Sequence, residues 1–336
     1  MDYTLSKIWF RSSNAVSQVY ATLYIPLGEP IGIVQIVHGM CEHISRYDRF
    51  MEFLAKEGFI VCGHDHIGHG SSSGSKELLG YFAKEHGYKY LVEDVHRLTL
   101  IMKKHYSHLP YFLFGHSMGS FVSRLYLSKY SHLLNGVILC GTGGSNPLIP
   151  AGLAACNAVI AAKGPLYRCP SLNKLIFGQY NRRFAPARTT HDWLTREEPV
   201  VDQYLKDPYC NFLFTASGYK DLLRLVQLSN SPQWYRTLDP NLPVFLLSGD
   251  MDPVGNYGEG LEEVYAKLTK AACVKDVTPR LYPGARHELL NESNYQEVQE
   301  EIRAWIVSRF PAKAAPVAEG PSAEASGPPA SPSLQN

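Results

Sequence analysis

Short apolar runs alternate with helix-like segments along most of the chain. Six of these runs are bounded by Gly, Pro or Asp, as buried parallel strands are. They lie at residues 32–37, 59–63, 111–114, 137–140, 244–248 and 275–282. Between them, apolar residues recur at helical spacing, for example at Leu91, Val95 and Leu98. The alternation predicts the α/β fold class, with a mostly parallel sheet and helices on both faces.

Two further strands are predicted near the N-terminus, at residues 7–10 and 17–25. The turn-like Ser12, Ser13 and Asn14 separate them, which favours an antiparallel hairpin at one edge of the sheet. At the other end of the chain, apolar residues at helical spacing predict a final helix. These residues are Tyr295, Val298, Ile302, Trp305 and Ile306.

The segment 145–234 interrupts the alternation. It contains helical patterns but no convincing strand, and it is far longer than an ordinary connection between strands. We therefore expect a helical cap at 145–234, inserted into an α/β core formed by residues 1–144 and 235–310. Its nearly all-apolar stretch 151–162 is too short to span a membrane and predicts a core helix or the wall of an apolar pocket.

The last 26 residues, 311–336, differ in composition from the rest. They hold six of the 22 prolines and no aromatic residue. Such a segment has little apolar surface to bury, so we expect it to be disordered and to carry no catalytic residue.

Charge and cysteine content exclude several classes of protein. The 336 residues include 32 Lys and Arg and 31 Asp and Glu, a formal net charge of +1, which offers no basic surface to a nucleic acid. The first ten residues lack both parts of a signal peptide, and no stretch reaches the roughly 20 apolar residues of a membrane span, so we expect a cytoplasmic protein. The seven cysteines contain no C-x-x-C pair and are expected to be reduced and mostly buried.

The strongest chemical signal is the G-x-S-x-G sequence Gly115, His116, Ser117, Met118 and Gly119. A strand is predicted directly before it and a helix directly after it, which is the setting of a nucleophile elbow. The sharp turn exposes the serine hydroxyl, and the two glycines allow close backbone approach. Ser117 is therefore the candidate nucleophile, and Gly115, His116 and Gly119 are the residues expected to shape the turn around it.

A serine nucleophile needs a base, and the base needs an acid that orients it. In this type of fold the chain order is serine, acid, histidine. Asp252 follows the strand at 244–248, and His287, which follows the strand at 275–282, is the only histidine beyond Asp252. Asp250 is an alternative candidate for the acid. We favour Asp252 because its position in the loop lets its side chain extend to the histidine, whereas Asp250 adjoins the strand end and could cap or brace the turn.

Half of an oxyanion hole is expected from the loop after the strand at 32–37. Gly39 lets this loop turn, so that the amide of Met40 joins the amide of Met118 in facing the substrate oxygen. The side chains that could brace this loop are His38, Glu42 and His43.

The histidine-rich segment 64–70 resembles a metal cluster only superficially. It lacks the distal ligands of a zinc enzyme, and its glycines are typical of a tight loop. Gly68, Gly70 and Gly74 do not form a dinucleotide fingerprint, because no strand leads directly into the required helix. We therefore expect neither a metal nor an organic cofactor.

In chain order these segments resemble the α/β-hydrolase superfamily, in the branch of monoacylglycerol lipases, lysophospholipases and serine aminopeptidase-like proteins. The segments are HGMCEHISRY at 38–47, DHIGHGS at 65–71, GHSMG at 115–119, GDMDPV at 249–254 and GARHE at 284–288. The resemblance implies that Ser117 is the nucleophile, Asp252 the acid and His287 the base. It also implies an oxyanion hole formed by the Met40 and Met118 amides, and a structural histidine-rich loop.

Hydrolysis of a carboxylic ester with an acyl chain is the first functional hypothesis, with a lysophospholipid or a monoacylglycerol as substrate. The cap offers apolar residues that could shelter the chain: Leu148, Ile149, Leu153, Ile160, Phe177, Phe184, Phe212, Phe214 and Leu222. Transient contact with a membrane surface fits such a substrate. The oligomeric state is left open.

Two alternatives stay open. A prolyl aminopeptidase-like enzyme would need cap carboxylates aimed at a substrate ammonium, for which Glu197, Glu198 and Asp202 are the candidates. A non-catalytic binding protein on the same scaffold is disfavoured by the complete set of Ser117, Asp252 and His287.

Overall fold

The computed structural model describes residues 2–310, so the predicted disordered tail at 311–336 lies outside the described residues. In the described part, eight strands form one sheet. They are β1 (Tyr3–Arg11), β2 (Gln18–Pro26), β3 (Gly32–Val37), β4 (Phe59–His64), β5 (Tyr111–His116), β6 (Gly136–Cys140), β7 (Val244–Gly249) and β8 (Val277–Tyr282). The predicted strand at 275–282 thus begins two residues later, and the first strand begins four residues earlier than expected.

The strand order across the sheet is β1-β2-β4-β3-β5-β6-β7-β8. β2 pairs antiparallel with β1 and with β4, whereas all the pairs from β4 to β8 are parallel. The predicted α/β fold, with its antiparallel N-terminal edge, is confirmed. Because β3 to β8 are parallel, the loops that follow them emerge at one edge of the sheet, where such folds bind ligands.

Ten α-helices lie in the described residues. They are α1 (Asp48–Lys56), α2 (Gly87–His105), α3 (Met118–Tyr130), α4 (Ile149–Lys163), α5 (Pro170–Phe177), α6 (Glu198–Lys206), α7 (Ala216–Ser229), α8 (Pro232–Arg236), α9 (Glu259–Ala266) and α10 (Tyr295–Val307). None of the described helices combines the length and apolarity needed to cross a membrane.

Side-chain alternation along the strands separates two apolar clusters, one on each face of the sheet. On β3, Ile33 and Val37 belong to the cluster that also contains residues of α2, α3 and α9. Val34 and Ile36 point to the opposite face and join the cluster that contains residues of α1 and α10. Helices therefore cover both faces, as predicted.

Between β6 and β7 the chain forms α4 to α8 and no described strand of the sheet. Apolar residues of α4 and α7, such as Leu153 and Tyr219, belong to the same cluster as α2 and α3. Of the two, α7 packs directly on α2 and α3, and α4 packs on α7. The division into a core and a cap at 145–234 stays a prediction.

Candidate active site

Ser117 lies at the turn between β5 and α3, with φ 52° and ψ −120°. A non-glycine residue in this region of backbone space is strained, which is typical of a nucleophile elbow. The turn is held by the amide of Ser117, which donates to the Cys140 carbonyl at 2.9 Å on neighbouring β6. The Ser117 side chain is partly exposed and lines a cavity, whereas His116 and Met118 are buried.

Two glycines bring this turn against the end of β3. A Cβ at Gly119 would lie 2.0 Å from the Val37 carbonyl oxygen, so α3 begins in direct contact with β3. A Cβ at Gly115 would lie 2.7 Å from the Gly119 carbonyl oxygen. Both positions require the absence of a side chain, which explains the motif's spacing around Ser117 in physical terms.

Asp252 and His287 meet across the loops after β7 and β8. His287 Nδ1 lies 2.9 Å from Asp252 Oδ2, and both side chains are buried, with 2% and 0% exposure. The second Asp252 oxygen accepts from the Val254 amide at 2.8 Å. Asp250 instead accepts from the Gly284 amide at 2.7 Å, where it braces the turn that precedes His287.

The electrostatic surroundings of His287 favour its protonated form. Burial by itself lowers the pKa of this imidazole, but the negative charge and hydrogen bond of Asp252 outweigh burial and raise the pKa above 6.5. Its neighbour His116, whose ring centroid is 4.7 Å away, has its pKa lowered to about 4 by burial and by the His287 charge. His287 is therefore the better proton acceptor of the two.

The loop after β3 lies close to Ser117. An added Cβ on Gly39 would lie 3.1 Å from the Ser117 Cβ, which shows how closely the loop approaches. The Gly39 amide donates to Glu42, and the Cys41 amide donates to His69 Nε2 at 3.3 Å. Met40 lies between these anchored residues. Met118 is the first residue of α3, so its own N–H has no acceptor within the helix. Both line the cavity.

A buried ionic network that the sequence analysis missed connects the loop after β3 to the loop that carries His287. Arg46 contacts Glu42 at 2.9 Å and Glu288 at 2.6 and 2.8 Å. Burial would raise the pKa of Glu42, but the charges of Arg46 and His116 outweigh it and lower the pKa to about 2. The i,i+4 spacing of Glu42 and Arg46 could have indicated their ion pair from the sequence. The contact between Arg46 and Glu288 joins residues far apart in the chain, so no local sequence pattern indicates it.

The cavity beside Ser117 has a volume of about 1110 Å³. Five of the nine apolar residues predicted for chain binding line it: Leu148, Ile149, Phe177, Phe212 and Leu222. The other four, Leu153, Ile160, Phe184 and Phe214, are not among its lining residues.

Aromatic rings that the sequence analysis did not identify complete the wall near the histidine. The Trp193 ring centroid lies 5.1 Å from that of His287, and the Tyr180 ring packs on Trp193 at 5.0 Å. The backbone of this segment is also joined to the histidine loop, since the Glu288 amide donates to the Leu194 carbonyl at 2.7 Å. The wall is thus continuous with the loop that carries His287.

The carboxylates proposed for an aminopeptidase lie elsewhere. Glu197, Glu198 and Asp202 are not among the residues that line the cavity. Glu198 and Asp202 pair with Arg188 at 3.6 and 2.6 Å. These three residues therefore form no ammonium site beside Ser117.

Two groups of metal-type side chains lie close together in the described residues. His64 and His66 are fully buried with both ring nitrogens unpartnered, and their rings are 5.0 Å apart between centroids. One trio, His43, Asp207 and Cys210, has ligand atoms within 4.8 Å of one another. Its His43 and Asp207 already pair at 2.9 Å, and the fixed charge of Arg46 acts on Asp207 and Cys210, which disfavours a cation.

Comparisons with known proteins agree with this geometry. The profile of the family described as serine aminopeptidase, S33, matches residues 28–294. Monoglyceride lipase of Rattus norvegicus is 28% identical over 305 residues, covering 88% of this chain and 89% of the relative. The monoglyceride lipase homolog of Monkeypox virus is 28% identical over 295 residues, covering 87% of this chain and 95% of the relative.

Solved structures extend the likeness to the whole fold. A thermostable carboxyl esterase from Bacillus coagulans superposes with a TM-score of 0.85 and 32% identity, covering 91% of this chain and 98% of the esterase. A monoglyceride lipase variant from Saccharomyces cerevisiae shares the fold at a TM-score of 0.72 and 19% identity, covering 93% of this chain and 97% of that chain. The resemblance inferred from the motifs is confirmed. The chain belongs to the serine aminopeptidase S33 family and has the α/β-hydrolase fold.

Proposed function

We propose that this protein is a serine hydrolase of carboxylic esters, of the monoacylglycerol lipase type, with Ser117, Asp252 and His287 as its catalytic triad. The observation that carries the proposal is the buried His287–Asp252 hydrogen bond of 2.9 Å beside a cavity that Ser117 and His287 both line. The relatives named as monoglyceride lipases and as a carboxyl esterase support ester substrates.

The reaction follows from the roles of these groups. His287 Nε2 takes the proton of the Ser117 hydroxyl while its oxygen attacks the ester carbonyl, and Nδ1–H donates to Asp252 throughout. The amides of Met40 and Met118 stabilise the negative oxygen of the tetrahedral intermediate. The imidazolium then gives its proton to the departing alcohol, which leaves an acyl-enzyme on Ser117.

Water completes the cycle. His287 takes a proton from a water molecule as it attacks the acyl carbon, and returns that proton to the Ser117 oxygen when the carboxylic acid departs. Each step uses a side chain or an amide of this chain.

The substrate we favour is a monoacylglycerol, with a lysophospholipid as the second choice. Leu148, Ile149, Phe177, Phe212 and Leu222 supply the apolar wall that an acyl chain needs. A cavity of about 1110 Å³ exceeds what a short ester would fill. The near-neutral net charge of the chain suits an uncharged lipid ester better than a polyanion.

We assign residues 145–234 as the cap over this cavity and propose that it meets lipid surfaces. Leu148 and Leu175, which are 71% and 62% exposed, both line the cavity. Exposed apolar side chains at the rim of a lipid site favour partition into a membrane surface. The cytoplasmic location also stays a proposal; unpaired cysteines, six of them buried, are compatible with a reducing compartment.

Labelling with a fluorophosphonate probe tests the catalytic assignment. We expect stoichiometric labelling of the wild-type protein and no labelling of Ser117→Ala, because the variant lacks the proposed nucleophile. Turnover of a short p-nitrophenyl ester should fall by roughly 10³-fold or more. Undiminished activity in the purified variant would refute the role of Ser117, and a wild-type protein that neither labels nor turns over would indicate a binding protein.

A paired assay separates the lipase from the aminopeptidase. One sample is given a monoacylglycerol and a proline-β-naphthylamide, and kcat/KM is measured for each. We expect the ester to be preferred, because Glu197, Glu198 and Asp202 do not line the cavity. A higher kcat/KM for the amide would reverse the proposal.

A further inference from the structure

Two chain segments that flank helices α4–α7 meet at one buried side chain, Arg124 of α3. The first connection is 142–145, before α4, and the second connection is 229–231, where α7 ends and leads into α8. On the first connection, Arg124 Nη1 donates to the Gly143 carbonyl at 2.9 Å and to Thr142 Oγ1 at 3.3 Å. On the second, Nη2 donates to the Ser229 carbonyl and to Asn230 Oδ1 at 2.8 Å. One guanidinium thus binds the beginning and the end of the helical segment.

This arginine is fully buried, with 0% exposure, and none of its contacts in the described residues is an ion pair. Its guanidinium carbon lies 4.2 Å from the centroid of the Trp234 ring, a cation–π contact. Burial lowers the pKa of Arg124 to about 9, partly offset by the charge of Glu263. A desolvated charge of this kind is held by neutral acceptors only where their geometry is well fixed.

The connection that Arg124 holds is also a wall of the active site. Gly141, two residues before Gly143, has φ 61°, and a Cβ there would lie 3.0 Å from His287 Cε1 and 3.3 Å from His116 Cε1. The Gly141 amide donates to the Leu247 carbonyl at 2.9 Å, and beyond it the Gly143 carbonyl accepts from Arg124 at 2.9 Å and from Asn230 Nδ2 at 3.4 Å. A displacement of Gly143 would therefore reach the imidazole of His287.

Asn230 joins the two connections directly. Its amide nitrogen donates to the Gly144 carbonyl at 2.9 Å, while its oxygen accepts from Arg124. At the surface, Lys267 Nζ donates to Ser145 Oγ at 2.8 Å and to the Asn230 carbonyl at 3.3 Å. The two connections are thus held together by Lys267 at the surface and by Arg124 in the interior.

We propose that Arg124 is a positioning residue that clamps both connections of the helical segment to the nucleophile helix, and so holds the loop that packs against His287. The inference rests on the proposed ester hydrolysis for its kinetic consequence. Its structural part, the two-sided clamp, stands independently. Lysine cannot replace it, because an ammonium has no planar fork that reaches acceptors on two separate segments.

The test uses Arg124→Met and Arg124→Lys in the full chain, with kinetic constants expressed per fluorophosphonate-labelled site so that unfolded protein is not counted. For both variants we expect kcat on p-nitrophenyl acetate to fall about tenfold or more, since a small displacement beside the imidazole impairs proton transfer. KM for a long-chain monoacylglycerol should rise as well, because the helices that line the cavity lose their fixed orientation. Arg224→Met, which removes a partly buried arginine of α7 that bonds within its own helix to Gln227, is the matched control and should change neither constant.

Hydrogen exchange supplies a readout that does not depend on activity. We expect faster amide exchange at both 141–145 and 229–231 in Arg124→Met. Unchanged kcat and KM per labelled site, exchange that accelerates at one connection only, or full activity in Arg124→Lys would each overturn the inference. A wild-type protein that fails to label would refute the proposed function alone, since the exchange result still decides the clamp. If Arg124→Met does not fold, Asn230→Ala, which removes one arm of the clamp, decides by the same measurements.

Discussion

At the scale of single residues, the site depends on which of two nearby carboxylates faces the histidine. Asp250 and Asp252 are two positions apart, yet the turn after β7 aims them at different partners. Asp252 bonds the His287 ring at 2.9 Å, and Asp250 bonds the backbone of Gly284 at 2.7 Å. The same residue type therefore serves an electrostatic role in one position and a structural role in the other.

This difference predicts unequal effects of the same substitution. Asp252→Asn should lower kcat by about 10³-fold or more, because an amide can stabilise neither the required tautomer nor the imidazolium. Asp250→Asn keeps an oxygen that can accept from Gly284 and should lower kcat only slightly. Steady-state ester hydrolysis by the two purified variants measures this, and a reversed order of effects would assign the acid role to Asp250.

The pH dependence of activity gives a second prediction at this scale. Catalysis needs neutral His287, and Asp252 raises its pKa above 6.5, so kcat/KM should decline as the pH falls through a value above 6.5. In Asp252→Asn the raising charge is gone while burial, which lowers the pKa, remains. The acidic limb of the residual activity should then move to lower pH. A limb at the same pH in both proteins would contradict the assignment.

At the scale of secondary-structure elements, the site depends on the direct contact of α3 with β3. Parallel strands β3 and β5 are neighbours in the sheet, so the loop after β3 and the turn after β5 emerge side by side. Gly119 lets the first turn of α3 reach the Val37 carbonyl, and the same contact brings Met40 and Met118 to one cavity.

Gly119→Ala tests this contact. Its Cβ would meet backbone oxygens of Val37 and His38 at 2.0 and 2.5 Å, which cannot rotate away, so α3 must shift from β3. We expect a loss of about 1–3 kcal/mol in the free energy of unfolding and a larger relative loss of kcat. Gly28→Ala, where an added Cβ meets nothing within 4 Å, is the control. Urea unfolding and ester hydrolysis measure the two effects; a Gly119→Ala variant as stable as Gly28→Ala would contradict the prediction.

At the scale of the whole molecule, four buried histidines make stability depend on pH. Burial lowers the pKa values of His38, His64, His66 and His69, that of His64 to about 3. Repulsion by neighbouring histidines adds to the lowering for His64, His66 and His69. Below pH 6.5 the unfolded chain binds protons at these positions and the folded chain does not. Their neutral form therefore supports the fold fully above pH 6.5, and the fold is weakened as the pH falls.

His64, whose pKa in the folded protein is lowered to about 3, contributes a slope of about 1.4 kcal/mol per pH unit to the free energy of unfolding between pH 6 and pH 5. Between pH 6 and pH 5, we expect His64→Leu to show a slope smaller than wild type by about this amount. His108→Leu, at an exposed position, is the control for the removal of a histidine. Urea unfolding at the two pH values measures the slopes, and equal slopes in wild type and His64→Leu would refute the prediction.

Much of this protein follows from local sequence patterns. Glycines, prolines and apolar runs determined the strands and the elbow, because turns and buried strands depend on neighbouring residues. Ser117, Asp252 and His287 occur in the expected chain order, and each follows a predicted strand. Parallel pairing brings the ends of these strands to one edge of the sheet. The nucleophile, the acid and the base could therefore be proposed without coordinates.

Other features depend on contacts between distant residues, and only the tertiary structure decided them. Arg46 meets Glu288 across 242 positions, and Arg124 meets Ser229 across 105, because the strand order brings separate loops together. No periodicity or turn signal encodes such a pair. The choice of cavity residues was equally beyond the sequence, since Phe212 lines the cavity whereas Phe214, two positions away, is fully buried and does not line it.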